Sequence, residues 1–105
     1  TGAANKASDG VPAVAPLAVR NWPNPFNPAT TIGVTVGRPQ RTRVAVYDLE
    51  GRLVRMLADR VFGAGETEIT WNGRDDGDRA VAAGAYLVQV RSGVENSTRK
   101  VTLLK

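Results

Sequence analysis

Short β-branched runs recur at about ten-residue intervals from residue 17 to the end of the sequence, and this spacing constrains the fold more than any other feature. TTIGVTV (30–36) puts Ile32, Val34 and Val36 on one side, the period of two that a half-buried strand requires. TRVAVYD (42–48) puts Val44 and Val46 on one face and Ala45 and Tyr47 on the other. LAVRNW (17–22), GETEITW (65–71), AYLVQVRS (85–92) and NSTRKVTLLK (96–105) read as further strands. Leu49-Glu50-Gly51-Arg52 reads as a tight turn in which Gly51 takes a positive φ, and Gly93-Val94-Glu95 turns the last two segments into a hairpin. LVRMLAD (53–59) is ambiguous: Leu53, Leu57 and Val61 also fit a helical stripe, but Gly51 and Gly63 bracket a segment short enough for a strand. The fold class expected is all-β: an immunoglobulin-like antiparallel β-sandwich of about seven strands over 17–105, with a disordered N-terminal arm.

All six prolines fall within the first 39 residues. Residues 1–16, rich in Ala, Gly, Pro and Ser and without periodicity, read as a flexible linker from an upstream domain or a disordered arm. The chain starts at Thr1 and its single methionine is Met56, so it is expected to be a piece of a longer protein. WPNPFNP (22–28) sets two aromatics among turn formers. The residue before a proline is driven to extended geometry, and asparagine side chains cap turns, so the segment reads as a corner that points Phe26 inward.

Neither cysteine nor histidine occurs, which excludes disulfides, the usual zinc sites and Ser-His triads. Eleven of the fourteen basic residues are Arg, and the net charge is +4. They are scattered apart from Arg38, Arg41 and Arg43, with no interleaved aromatics, so they read as solvated strand faces or a guarded edge, and no nucleic-acid partner is expected. Asp75, Asp76 and Asp78 form the one candidate metal cluster, a weak one; their crowding, and Gly77 arriving early for a calcium loop, favour an Asx-rich turn. A general acid/base pair would need a pocket that a polar turn does not offer. Phe62, Trp71 and Tyr86 serve either a core or a ligand groove. Asn96-Ser97-Thr98 is a formal glycosylation sequon that turn and strand preferences explain as well. No enzyme activity, cofactor or small-molecule substrate is expected.

Four stretches, in order, carry a resemblance that covers about residues 21–105: PNPFNPATTI (23–32), VAVYDLEGRLVRML (44–57), ITWNGRDDGDRAVAAGAYLVQV (69–90) and RKVTLLK (99–105). Together they resemble the C-terminal sorting domains of type IX secretion cargo in Gram-negative bacteria, and the immunoglobulin-like domain of the flagellar hook-capping protein. The first and last stretches favour the sorting type. The chain departs from the pattern at Asp78, where Gly is usual, and at Ala80, where Pro is usual; the turn is expected to be re-registered towards Gly77. The resemblance implies a non-catalytic address, read by secretion-machinery proteins at the outer membrane, that carries an upstream cargo domain of the same chain to the cell surface or the medium. The alternative it implies is an accessory assembly or spacer domain. Recognition candidates are Pro25, Phe26, Asn27, Pro28, Gly84, Tyr86, Lys100, Val101, Leu103 and Lys105, with the edge of the terminal hairpin, Asn96–Lys105, as a docking strand.

Overall fold

A computed structural model describes residues 16–105; the linker expected over 1–16 therefore lies, but for Pro16, outside the described residues. Seven antiparallel strands follow in order: β1 (Ala18–Trp22), β2 (Thr30–Val36), β3 (Gln40–Tyr47), β4 (Leu53–Phe62), β5 (Gly65–Trp71), β6 (Gly84–Ser92) and β7 (Glu95–Leu103). They divide into a three-stranded sheet, β1-β2-β5, and a four-stranded sheet, β4-β3-β6-β7. A constant-type immunoglobulin domain puts its fourth strand in the first sheet. Here β4 instead pairs with β3, which widens the second sheet to four.

Alternation supplies the core, because successive strand side chains face opposite ways. Val19, Ile32, Val34 and Val36 from the first sheet meet Val44, Val46, Val88, Val90 and Val101 from the second, and all are buried. Thr42 and Ser92, also buried, join their hydroxyls at 3.0 Å, so neither is left without a partner.

β4 resolves the ambiguous segment as a strand running three residues beyond the expected Asp59. Its pairing with β3 steps from Ala58 to Met56 and from Arg55 to Leu53, skipping Leu57 and Val54. Each skip is a bulge that reverses which face the next residue takes. Two reversals erase the period of two, so the apolar residues fall at a spacing that imitates a helix. Leu53 and Val61, two of the three residues of that apparent stripe, are exposed.

The turn from Asp48 to Arg52 is organised by one carboxylate. Asp48 Oδ1 accepts the amides of Glu50 (3.0 Å) and Arg52 (2.9 Å), and Oδ2 accepts Arg52 Nε (2.8 Å). Gly51 takes the positive φ expected of it, 86°. The hydrogen bond from the Arg52 amide holds Asp48 below the ordinary carboxylate range; burial opposes it, and the Arg52 guanidinium reinforces it. Asp75 is lowered likewise by the Arg79 amide, and Glu66 by its hydrogen bond from Arg20. A carboxyl with a depressed folded pKa contributes stability that is present above the unfolded value, about 4, and lost as pH falls through the folded value. The melting temperature is therefore expected to hold from pH 7 to 5 and to fall below about pH 4. Asp48→Asn combined with Asp75→Asn should melt lower at pH 7 and lose less on acidification, which a pH series of thermal melts will read.

Candidate functional site

The four sequence stretches, spread over more than eighty residues, meet at one end of the sandwich. This pole holds the β1–β2 corner, the β3–β4 turn, the long β5–β6 loop and the C-terminal residues; Leu17 and the β6–β7 hairpin tip lie together at the opposite end.

Trp71, closing β5, is wholly buried at its centre. Phe26 from the corner lies 5.5 Å away, tilted, and Tyr86 from β6 stands edge-on at 5.3 Å. The polar tips of both large rings are satisfied: Trp71 Nε1 donates to the Arg74 carbonyl (2.9 Å) and the Tyr86 hydroxyl to the Ala82 carbonyl (2.6 Å). A tyrosine near the start of the sixth strand, bonded to backbone a few residues upstream, matches the tyrosine corner of immunoglobulin-like sandwiches. Burial, reinforced by the charge of Asp48, raises the Tyr86 pKa. Phe26, Trp71 and Tyr86 thus pack as a core plug, and Phe62, the third aromatic of the expected set, is buried as well.

The corner is fastened to the C-terminal strand. The Phe26 amide donates to the Thr102 carbonyl (2.9 Å), and the Leu104 amide to the Phe26 carbonyl (2.8 Å), a parallel bridge beside β7. Asn24 adds Nδ2 to the Lys100 carbonyl (3.1 Å) and takes the Thr102 amide on Oδ1 (2.9 Å). Asn24 therefore caps a distant strand, where the sequence suggested its own turn. The peptide bonds before Pro23, Pro25 and Pro28 are cis. Gly73 in the β5–β6 loop has φ 74°, and a Cβ there would lie 3.1 Å from the Pro28 carbonyl oxygen and in ordinary contact, 3.5 Å, with the Leu103 side chain, so three of the four stretches touch at this glycine.

Of the recognition candidates, Phe26, Tyr86, Val101 and Leu103 are buried. Pro25, Asn27, Pro28, Gly84, Lys100 and Lys105 are exposed at or near the pole. The docking strand expected over Asn96–Lys105 is partly spoken for: the outward groups from Lys100 to Leu104 are those the corner occupies. On the same side of β7, Asn96 and Thr98 lie beyond the clasp.

The acids of the β5–β6 loop point to separate tasks. Asp75 Oδ1 accepts the amides of Gly77 and Arg79 (both 2.9 Å). Asp76 is bonded to the free side of β4, its amide to the Val54 carbonyl and its carboxylate to the Met56 amide (both 3.0 Å), which shields an edge that another chain could extend. Asp78 takes the left-handed φ of 61° itself, so the turn keeps its register and is not shifted to Gly77. Among the described residues, no three acids converge as a metal site requires. Between this loop and the β3–β4 turn lies an open cleft of about 520 Å³, lined by Asp48, Leu49, Leu53, Val81, Ala83 and Tyr86 among others.

The model of the FlgD Ig-like domain family matches residues 26–95. Among solved structures, PorZ of Porphyromonas gingivalis, described as an essential bacterial surface component of the type-IX secretion system, is 26% identical over 83% of this chain, with a TM-score of 0.59. Dimeric latent PorU of the same organism is 25% identical over 90% of the chain, with a TM-score of 0.68. The chain spans 11% of the PorZ chain and 10% of the PorU chain. FlgD of P. aeruginosa, 17% identical with a TM-score of 0.57, shares the fold over 84% of this chain and 74% of its own. No curated protein matches the chain by sequence.

Proposed function

The chain belongs to the FlgD Ig-like domain family, and we propose that it works as a non-catalytic C-terminal sorting domain. It directs an upstream cargo across the outer membrane by the type IX secretion system, for attachment to the surface or release. The observation that carries this reading is the pole itself: the corner, the β3–β4 turn, the β5–β6 loop and the end of β7 converge where secretion-machinery proteins can meet them, opposite the end at which cargo would be joined. Likeness to PorZ and PorU supports the same reading.

A second reading, an accessory assembly or spacer domain, is favoured by the fold shared with FlgD. One experiment separates the two. The full chain, fused to the C-terminus of a periplasm-targeted reporter in a type IX-competent host, is expected to place the reporter outside the cell. A fusion that is folded by protease resistance yet stays in the periplasm would rule out sorting and leave the accessory role.

A further inference from the structure

An antiparallel sheet that packs on one side ordinarily turns polar residues to solvent on the other. The outer face of the four-stranded sheet departs from this. Cross-strand partners define its rows: Leu53–Tyr47–Leu87–Lys100, then Met56–Ala45–Gln89–Thr98, then Asp59–Arg43–Arg91–Asn96. The rows nearest the pole are largely apolar, and Tyr47, Met56 and Leu87 take no part in the core. Ala45, at the centre, is 2% exposed although it faces outward, so its neighbours lie flat across it.

The third row is basic. Arg43 and Arg91 stand directly opposite each other, an arrangement that costs stability because like charges repel across a strand pair. Asp59, the nearest acid, is engaged by Arg41 at 3.0 Å, and among the described residues neither Arg43 nor Arg91 has an ion-pair partner. Arg41, Arg43, Asp59 and Arg91 line a shallow concavity of about 410 Å³.

We infer that this face is a docking surface for an acidic protein partner: carboxylates enter between Arg43 and Arg91, and an apolar patch covers Tyr47, Met56 and Leu87. Strand geometry sets the partner's spacing, with apolar groups about 7–14 Å from the carboxylates. Charge selects the occupant. A second copy of this chain would bring arginine to arginine, and residues 1–15 offer one acid, Asp9, offset by Lys6. A bilayer calls for a cluster of protruding apolar side chains, whereas Tyr47, Met56 and Leu87 are half-buried and Leu53 is the one apolar side chain of these two rows that stands exposed.

The surface rests on the sorting reading, as the place where the secretion machinery holds the domain, so the reporter fusion tests it. Arg43→Glu with Arg91→Glu, and separately Met56→Ser with Leu87→Ser, are expected to lower the exported fraction about tenfold, the effect of some 1.4 kcal/mol of binding. Arg43→Lys with Arg91→Lys should export within about twofold of the parent. Arg91→Glu alone relieves the cross-strand repulsion and should melt no lower than the parent, which separates docking from folding. Equal export of the parent and all variants would overturn the surface and leave the sorting reading standing. A parent fusion that stays in the periplasm would overturn both. Binding of the domain to phosphatidylglycerol–phosphatidylcholine vesicles, lost with the Glu pair, would make the partner a membrane and overturn the protein assignment. Self-association in sedimentation, lost with the same pair, would overturn it in favour of a second copy.

Discussion

Truncation after Arg99 is expected to leave a chain with no cooperative unfolding transition. The six residues removed include Val101 and Leu103, 0% and 2% exposed, each contributing about 1.5–3 kcal/mol by burial. They also carry the backbone groups that hold Phe26 and Asn24, so four hydrogen bonds go, at about 1 kcal/mol each. Phe26, now 1% exposed, loses the strand that covers it. A domain of this size has roughly 5–13 kcal/mol in all, and these losses reach that range. Circular dichroism of the truncated chain should show no sigmoidal urea transition. Removing Leu104 and Lys105 alone gives the contrast: among the described residues the one hydrogen bond lost is that of the Leu104 amide to Phe26, and the transition should persist, weakened by about 1 kcal/mol. Export assays that delete the whole last strand would therefore read unfolding, whereas substitutions on exposed faces read recognition.

Trp71→Ala should cost about 4 kcal/mol in urea denaturation. The side chain is wholly buried between Phe26 and Tyr86, so truncation leaves a cavity at the meeting point of the corner, the β5–β6 loop and β6. Trp71→Phe separates volume from polarity. It refills most of the space but orphans the Arg74 carbonyl, and should cost about 1–3 kcal/mol. Equal losses for the two variants would show that the hydrogen bond, and not the ring's bulk, holds the pole together.

Strand positions were largely legible because alternation is a local signal. The Ile32, Val34, Val36 series and the Val44, Val46 pair each declare a face within a few residues, and their inward side chains are buried as that pattern requires. β4 was legible only as an ambiguity, since its two bulges arise in the pairing with β3 and their trace in its own residues is an apolar spacing that a helix would also give. Phe26 could be read as inward-facing from proline and asparagine chemistry. Its fastening to β7 could not, because Asn24 and Thr102 are 78 residues apart and nothing near either announces the other. The acids of the β5–β6 loop looked like a possible cation site in one dimension; folding sends Asp76 to the edge of β4 and Asp75 to its own turn. The outer face was half visible: Ala45 and Tyr47 alternate with the core valines, but the opposition of Arg43 to Arg91 exists only once β3 and β6 pair.

By itself, then, the sequence determined the all-β class, the turn glycine at Gly51, the absence of histidine and cysteine chemistry, and the four stretches by which the chain resembles its family. These depend on residue type and on spacing along the chain, and backbone geometry reads both locally. Tertiary structure alone decided that β4 joins the second sheet, that the corner clasps the last strand, that the four stretches share one pole, and that an apolar patch borders arginines on one outer face with no ion-pair partner among the described residues. Each of those is a relation between residues distant in sequence, brought about when two sheets close over a common core.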